Sequence, residues 1–144
     1  MNSFFALSWS NPPGFDIESA MERLGNAPEI YVSLVKRFHA NHKAGLERLH
    51  HHLRLGDLTR AADELHTLRG SAGVLGATDL ADFTRTAEAS LRLESEAMTD
   101  QAIAHTLLME QLDTLMASTL ATLERIIAQI ERNDVSGWIS SSWP

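Results

Sequence analysis

Apolar residues recur every three or four positions along most of the chain, which is the spacing of amphipathic helices. The clearest series ends at Leu75, and longer series run through 30–53 and 103–130. The members of the clearest series are Leu58, Ala61, Leu65, Leu68, Ala72 and Leu75. Stretches that alternate apolar and polar residues are too short to predict strands. The pattern therefore predicts an all-α protein.

Residues that cap or break helices set the bounds of the first two predicted helices. Asp16 is suited to cap a short helix that runs to about Leu24, and Gly25-Asn26 then stops it. Pro28 fits the first turn of a long second helix that runs to about Leu55, because its missing N–H costs nothing there.

Similar signals bound three further helices. Their expected start or stop residues, in chain order, are Asp57, Gly76, Thr78 or Asp79, Thr99-Asp100 and Arg132. Four long amphipathic helices with short links predict an antiparallel up-down four-helix bundle, with a short additional N-terminal helix in front.

This pattern divides the chain into three parts. We expect an irregular N-terminal lead-in at 1–15, a helical bundle at 16–132 and a flexible, Ser-rich C-terminal tail at 133–144. The tail carries Trp138 and Trp143, to which we assign no functional role.

Composition and charge narrow the classes of function. The chain has 144 residues, of which 44% are hydrophobic, enough for one core. It has no cysteine, which excludes disulfides and cysteine-based zinc sites or nucleophiles. Its 12 Lys and Arg against 19 Asp and Glu give a net charge of −7, which argues against a nucleic-acid partner and against anionic lipid. With no apolar run of bilayer length and no basic start of a signal peptide, we expect a cytoplasmic protein without membrane contact.

One histidine lies off the apolar stripe of its helix. Because helical positions advance by about 100° per residue, His66 should lie roughly 130° from the centre of the stripe that includes Leu65. We therefore expect its imidazole to face solvent.

Three of the six neighbours of His66 on the same helical face have almost no side chain. Residues three, four and seven positions away are Thr59, Ala62, Asp63, Arg69, Gly70 and Gly73. Each glycine inside a helix costs about 1 kcal/mol relative to alanine, so the helix gains no stability from them. Small residues around an exposed histidine would let the surface of a partner approach the ring, and Arg69 is close enough to pair with a phosphoryl group on it.

The run from His66 to Ala77, His-Thr-Leu-Arg-Gly-Ser-Ala-Gly-Val-Leu-Gly-Ala, resembles the signature of the histidine phosphotransfer (HPt) domain family of multistep two-component phosphorelays. That signature is His-x-Leu-Lys-Gly-Ser/Ala followed by a Leu-Gly-Ala turn. The similarity extends over roughly 16–131. Arg69 stands where the family usually has Lys, Gly70 matches the small residue beside the histidine, and Gly73 replaces the common Ala or Ser.

The resemblance implies a function. His66 would accept a phosphoryl group from an aspartyl-phosphate of one receiver domain and pass it to the aspartate of another. Such a carrier has no kinase or phosphatase activity and no cofactor of its own, since the receiver supplies Mg²⁺. The chain accordingly lacks a Gly-rich phosphate loop and the kinase motifs. It would act either free-standing or as the cytosolic part of a membrane-bound hybrid sensor kinase.

Two other classes of function compete with this interpretation. A metal-binding bundle is suggested by His39 and His42, by the run 50–52, and by Glu47 three positions before His50. A di-iron bundle needs two such motifs and two further carboxylates, and the chain shows only one motif. The second alternative is an interaction module that binds a receiver or kinase without carrying phosphate.

The docking surface is expected to surround His66. Its rim should comprise Ala62, Asp63, Arg69, Gly70 and Gly73, together with part of the long helix before it. Asp63, three positions before His66, is expected to tune the ring by a hydrogen bond or by its charge. We expect a monomer.

Overall fold

The computed structural model describes residues 11–94 and 101–133, and this part of the chain contains helices but no strand. The helices are α1 (Ile17–Arg23), α2 (Pro28–Arg54), α3 (Leu58–Val74), α4 (Thr78–Leu93) and α5 (Ala102–Asn133). The predicted all-α class is confirmed. Within the described residues, no helix is both long and apolar enough to cross a membrane.

The four long helices form a bundle in which α3 packs against both α2 and α4, and α5 contacts α2 and α4 in turn. Their apolar faces meet in one core. The short helix α1 adds Ile17, Ala20 and Met21 to that core at the end where α3 turns into α4. This arrangement agrees with the predicted four-helix bundle with an additional N-terminal helix.

Two of the predicted helix caps are present. A carboxylate oxygen of Asp16 accepts a hydrogen bond from the N–H of Ser19 at 3.1 Å, and Asp57 accepts one from Arg60 at 3.2 Å. The bonds from Ser19 hold the pKa of Asp16 below its ordinary value. Pro28 is the first residue of α2, as its missing N–H predicts.

The predicted cap of α4 is wrong. Thr78 and Asp79 are the first two residues of the helix, and the capping position falls on Ala77, which has no side-chain cap. The N–H of Asp79 instead donates to the carbonyl of Gly14 at 3.0 Å. A backbone group of the lead-in thus does what a capping side chain would do, and local sequence does not reveal such a partner. The expected start of the last helix at Thr99-Asp100 lies outside the described residues, as do Trp138 and Trp143.

The end of α3 is fixed by contacts with α1 and α2. Gly76 has a φ of +75°, and a Cβ there would lie 2.5 Å from the carbonyl oxygen of Asp16, so the tight approach of α1 requires glycine. The buried hydroxyl of Tyr31 donates to the carbonyl of Leu75 at 2.7 Å, and burial raises the pKa of this phenol. These contacts anchor the helix that carries His66.

Candidate functional site

His66 lies near the middle of α3, and its side chain is 57% exposed. The preceding residue, Leu65, is fully buried in the core. The structure thus confirms that the ring faces solvent, as the helical geometry predicts.

The ring has an acidic partner on the neighbouring helix. Nδ1 of His66 lies 3.3 Å from Oε1 and 3.2 Å from Oε2 of Glu88, which belongs to α4. The Glu88 side chain is only 11% exposed, so this carboxylate is held at the edge of the core. Sequence reasoning missed Glu88, because its contact with His66 joins residues 22 positions apart.

A second group, Arg69, competes for the same nitrogen. Its Nη2 lies 3.0 Å from Nδ1 of His66, and its Nη1 lies 3.6 Å from Oε1 of Glu88. Nδ1 either carries a proton and donates to Glu88, or carries a lone pair and accepts from Arg69. It does not do both.

The carboxylate decides where the proton of the neutral ring lies. Glu88 is nearly buried and can only accept, so a lone pair on Nδ1 would face a fixed anion at 3.2 Å. The Arg69 side chain is 35% exposed and can turn fully onto Glu88. The proton is therefore favoured on Nδ1, which leaves the exposed Nε2 with the lone pair that a nucleophile needs.

Glu88 stays ionised in this environment. Burial acts to raise the pKa of its carboxyl, but hydrogen bonds from Arg92 and His66, with the charge of Arg69, outweigh burial and hold the pKa below its ordinary value. Arg92 lies one turn further along α4, with Nε 3.0 Å and Nη2 2.9 Å from Oε2 of Glu88.

Asp63 does not contact His66 directly. Its Oδ1 accepts a hydrogen bond from Nη2 of Arg92 at 3.0 Å. Of the two ways in which Asp63 was expected to tune the ring, the direct hydrogen bond is absent, and an effect through its charge stays a prediction. The chain of contacts runs instead from Asp63 through Arg92 and Glu88 to His66, because α4 places an arginine between the two carboxylates.

The glycines beside His66 are open to solvent. A Cβ added at Gly70 or at Gly73 would meet no atom within 4 Å. Packing inside the protein therefore does not require either glycine. The carbonyl of Gly73 accepts a hydrogen bond from Arg23 of α1 at 2.8 Å.

Ala62 is the one rim residue that the structure contradicts. It is completely buried, so it cannot touch a partner. The apolar stripe of α3 is wider than its leucines suggest, because Ala62 lies next to Ala61 on the side that packs into the bundle. Asp63, Arg69, Gly70 and Gly73 remain accessible.

A groove of about 430 Å³ runs between α2 and α3, on the side of α3 away from Glu88, and its lining combines apolar residues with Arg37, His42 and Arg48 of α2. Leu34, Phe38 and Leu68 contribute apolar surface, and Thr67 and Ser71 bring its edge next to His66. The long helix α2 thus lines one side of this groove, and its part in docking a receiver stays a prediction.

The histidines of α2 do not form a metal site in the part of the chain that the structure describes. No three His, Cys, Asp or Glu side chains come together there as a metal would need. His39 instead pairs with Glu124 of α5 at 3.3 Å, and His42 contacts the carbonyl of His39. The metal-binding alternative has no ligand set among these residues.

A family model, that of the Hpt domain, matches residues 33–132, which is more than half of the chain. The chain belongs to the Hpt domain family. The match begins inside α2 and covers α3, α4 and nearly all of α5, so it includes His66 and Glu88. Searches of curated proteins and of solved structures gave no match. Membership of the Hpt family implies a phosphotransfer role in phosphorelays, in which these domains interact with receiver domains.

Proposed function

We propose that this Hpt domain carries a phosphoryl group on Nε2 of His66 between aspartates of two receiver domains. The observation that carries the proposal is the environment of the exposed ring: within 11–94 and 101–133 no side chain hydrogen-bonds to Nε2, while Nδ1 is held by the carboxylate of Glu88. That pairing keeps the proton of the neutral imidazole on Nδ1, so the lone pair on Nε2 can act as the nucleophile.

The transfer step forms one bond to phosphorus and breaks another. The lone pair of Nε2 attacks the phosphorus of an aspartyl-phosphate, the N–P bond forms, and the O–P bond breaks with its electrons left on the aspartate of the receiver. The ring becomes positively charged as it bonds to phosphorus. Glu88, already ionised beside Nδ1, stabilises that charge, much as a buried carboxylate stabilises an imidazolium in hydrolases. The reverse sequence delivers the group to the second receiver.

Arg69 supplies positive charge on the side of the ring. Its guanidinium lies against Nδ1 and Glu88 in the unphosphorylated protein. Rotation of this half-exposed side chain brings it towards a phosphoryl group on Nε2, where two N–H donors can bind two oxygens. Mg²⁺ belongs to the receiver in this scheme, and phosphoryl transfer is otherwise a matter of positioning and charge.

The receiver is proposed to dock over Gly70, Gly73 and the α2–α3 groove. Three features favour this side of His66. The two glycines have open space above them, the groove exposes apolar surface from Leu34, Phe38 and Leu68, and the opposite side of the ring is occupied by the ion pairs of Glu88 and Arg92. Asp63 and Arg69 would then lie at the edge of the interface.

Transfer of label from a phosphorylated receiver tests the proposal. We expect acid-labile, alkali-stable label on the wild-type domain and none on His66→Gln. His51→Gln is the matched control, because His51 is another exposed histidine, on α2, and its loss should leave labelling unchanged. Tight receiver binding by a folded wild-type domain that never becomes labelled would contradict the proposal and favour an interaction module.

A further inference from the structure

Arg92 makes more contacts around the site than any residue of the family signature. Two of its nitrogens, Nε and Nη2, donate to one oxygen of Glu88, and Nη2 also donates to Asp63 on α3. These hydrogen bonds raise the pKa of the guanidinium above its ordinary value, and the bond to Asp63 has the largest effect. Arg92 therefore connects α3 and α4 directly beside the ring.

The contacts fix the orientation of Glu88. A glutamate has three side-chain torsions, so a carboxylate at the edge of a bundle has several orientations open to it. Two donors from Arg92 hold Oε2, and Arg69 approaches Oε1. Nδ1 of His66 lies between the two oxygens, 3.2 Å from Oε2 and 3.3 Å from Oε1. Without Arg92, the remaining cation is Arg69, which would draw the carboxylate towards itself and leave Nδ1 without a fixed acceptor.

We propose that Arg92 is a positioning residue of the phosphotransfer site, which clamps Glu88 so that the proton of neutral His66 stays on Nδ1 and Nε2 remains the nucleophile. Asp63 supports the clamp from α3. The effect on the tautomer stands on the geometry of these four residues, and its consequence for transfer rests on the function proposed above. Arg92 touches neither the phosphoryl group nor the ring in this arrangement.

The charged groups around the ring are Asp63 and Arg69 from α3 and Glu88 and Arg92 from α4. In the described part of the chain, no charged side chain of α2 or α5 hydrogen-bonds to the ring. Arg69 and Arg92 are thus the two cations that compete for Glu88, and removal of Arg92 leaves the carboxylate to Arg69.

Nitrogen NMR of the His66 ring, combined with transfer rates, tests the assignment. In the wild type we expect the proton of the neutral ring on Nδ1. In Arg92→Gln we expect a mixture of both tautomers and transfer slowed about 10-fold, by analogy with the roughly 10- to 100-fold cost of removing the hydrogen-bond partner behind a metal-bound histidine. Arg92→Lys keeps the charge but has a single nitrogen for two carboxylates, so it should restore the tautomer only in part.

Arg85→Gln is the matched control, because Arg85 is also on α4 and pairs with Asp82 at 2.9 Å, away from the ring. It should behave as wild type in every measurement. An unchanged tautomer in Arg92→Gln would overturn the assignment, whatever the transfer rate. If Arg92→Gln does not fold, Asp63→Ala answers the same question, because it removes the acceptor of Nη2 on α3, loosens Arg92 and leaves Glu88 intact. A wild-type domain that takes no label would overturn the proposed function, while the tautomer comparison would still decide the role of Arg92.

Discussion

Nδ1 of His66 lies 3.2 Å from the carboxylate of Glu88, on a different helix and 22 residues further along the chain. In the proposed transfer, this pair gives the two ring nitrogens different roles, because Nδ1 holds the proton and Nε2 attacks phosphorus. The pair also makes the site depend on how α3 and α4 pack together.

Glu88→Gln should slow transfer while the bundle remains folded. The amide oxygen can still accept from Nδ1, but the charge that stabilises the positive ring is lost, and we expect a reduction on the order of 10²-fold in rate, as for other preorganised electrostatic partners. Rapid-quench measurement of transfer from a phosphorylated receiver would show it. Glu64→Gln serves as control, since Glu64 is a partly buried carboxylate of α3 that pairs with Arg48 at 2.9 Å. Equal rates in the two variants would argue against a role for Glu88.

We expect Gly73 to lower the stability of the folded domain while it leaves space for a docking receiver. A Cβ at this helical position meets no atom within 4 Å, so Gly73→Ala should raise the free energy of unfolding by about 0.5–1 kcal/mol, by reducing the freedom of the unfolded chain. Gly73→Leu should leave the bundle folded and weaken receiver binding and transfer, because its side chain would stand where the partner approaches. Denaturant unfolding and receiver titration measure the two effects.

Gly45 of α2 provides the control for this pair of substitutions. It also lies inside a helix, and the nearest atom to an added Cβ belongs to the flexible side chain of Arg48 at 3.7 Å. Gly45→Ala should stabilise the domain by a similar amount without any effect on transfer. Normal transfer by Gly73→Leu would refute the argument from small residues.

Acidification should destabilise the domain through Glu88 and Asp16. Both carboxyls have pKa values below their ordinary range in the folded protein, Asp16 through its hydrogen bonds from Ser19 and Glu88 because its ion pairs outweigh burial. Their contribution to stability is therefore complete above the ordinary carboxyl pKa of about 4 and is lost as the pH falls through the lower folded values. The free energy of unfolding, measured from pH 7 to pH 3, should fall more steeply in the wild type than in an Asp16→Asn/Glu88→Gln double variant. If the free energy of unfolding fell equally steeply with pH in both proteins, Asp16 and Glu88 would not be the cause of the acid destabilisation.

The sequence predicted much of the fold because its signals are local. Apolar spacing gave the four long helices, and Asp16, Pro28 and Asp57 marked helix starts that the structure confirms. The start of α4 was misjudged, because its partner is the carbonyl of Gly14 and lies more than 60 residues away in sequence.

The site was predicted only in part for the same reason. The exposure of His66 and the presence of Arg69 one turn away follow from the periodicity of α3 alone. Glu88 and Arg92 depend on the rotation of α4 against α3, which no local pattern determines. One signal was available: Glu88 lies four positions after buried Thr84 and three before buried Leu91, so a charged residue stands on the apolar stripe of α4.

The position of the phosphoryl group on the ring tests the central claim most directly. Phosphorus and nitrogen NMR of the wild-type domain, phosphorylated by a receiver, should show one N–P bond, at Nε2 of His66, with Nδ1 still close to Glu88. A phosphoryl group on Nδ1, or on any residue other than His66, would contradict the account.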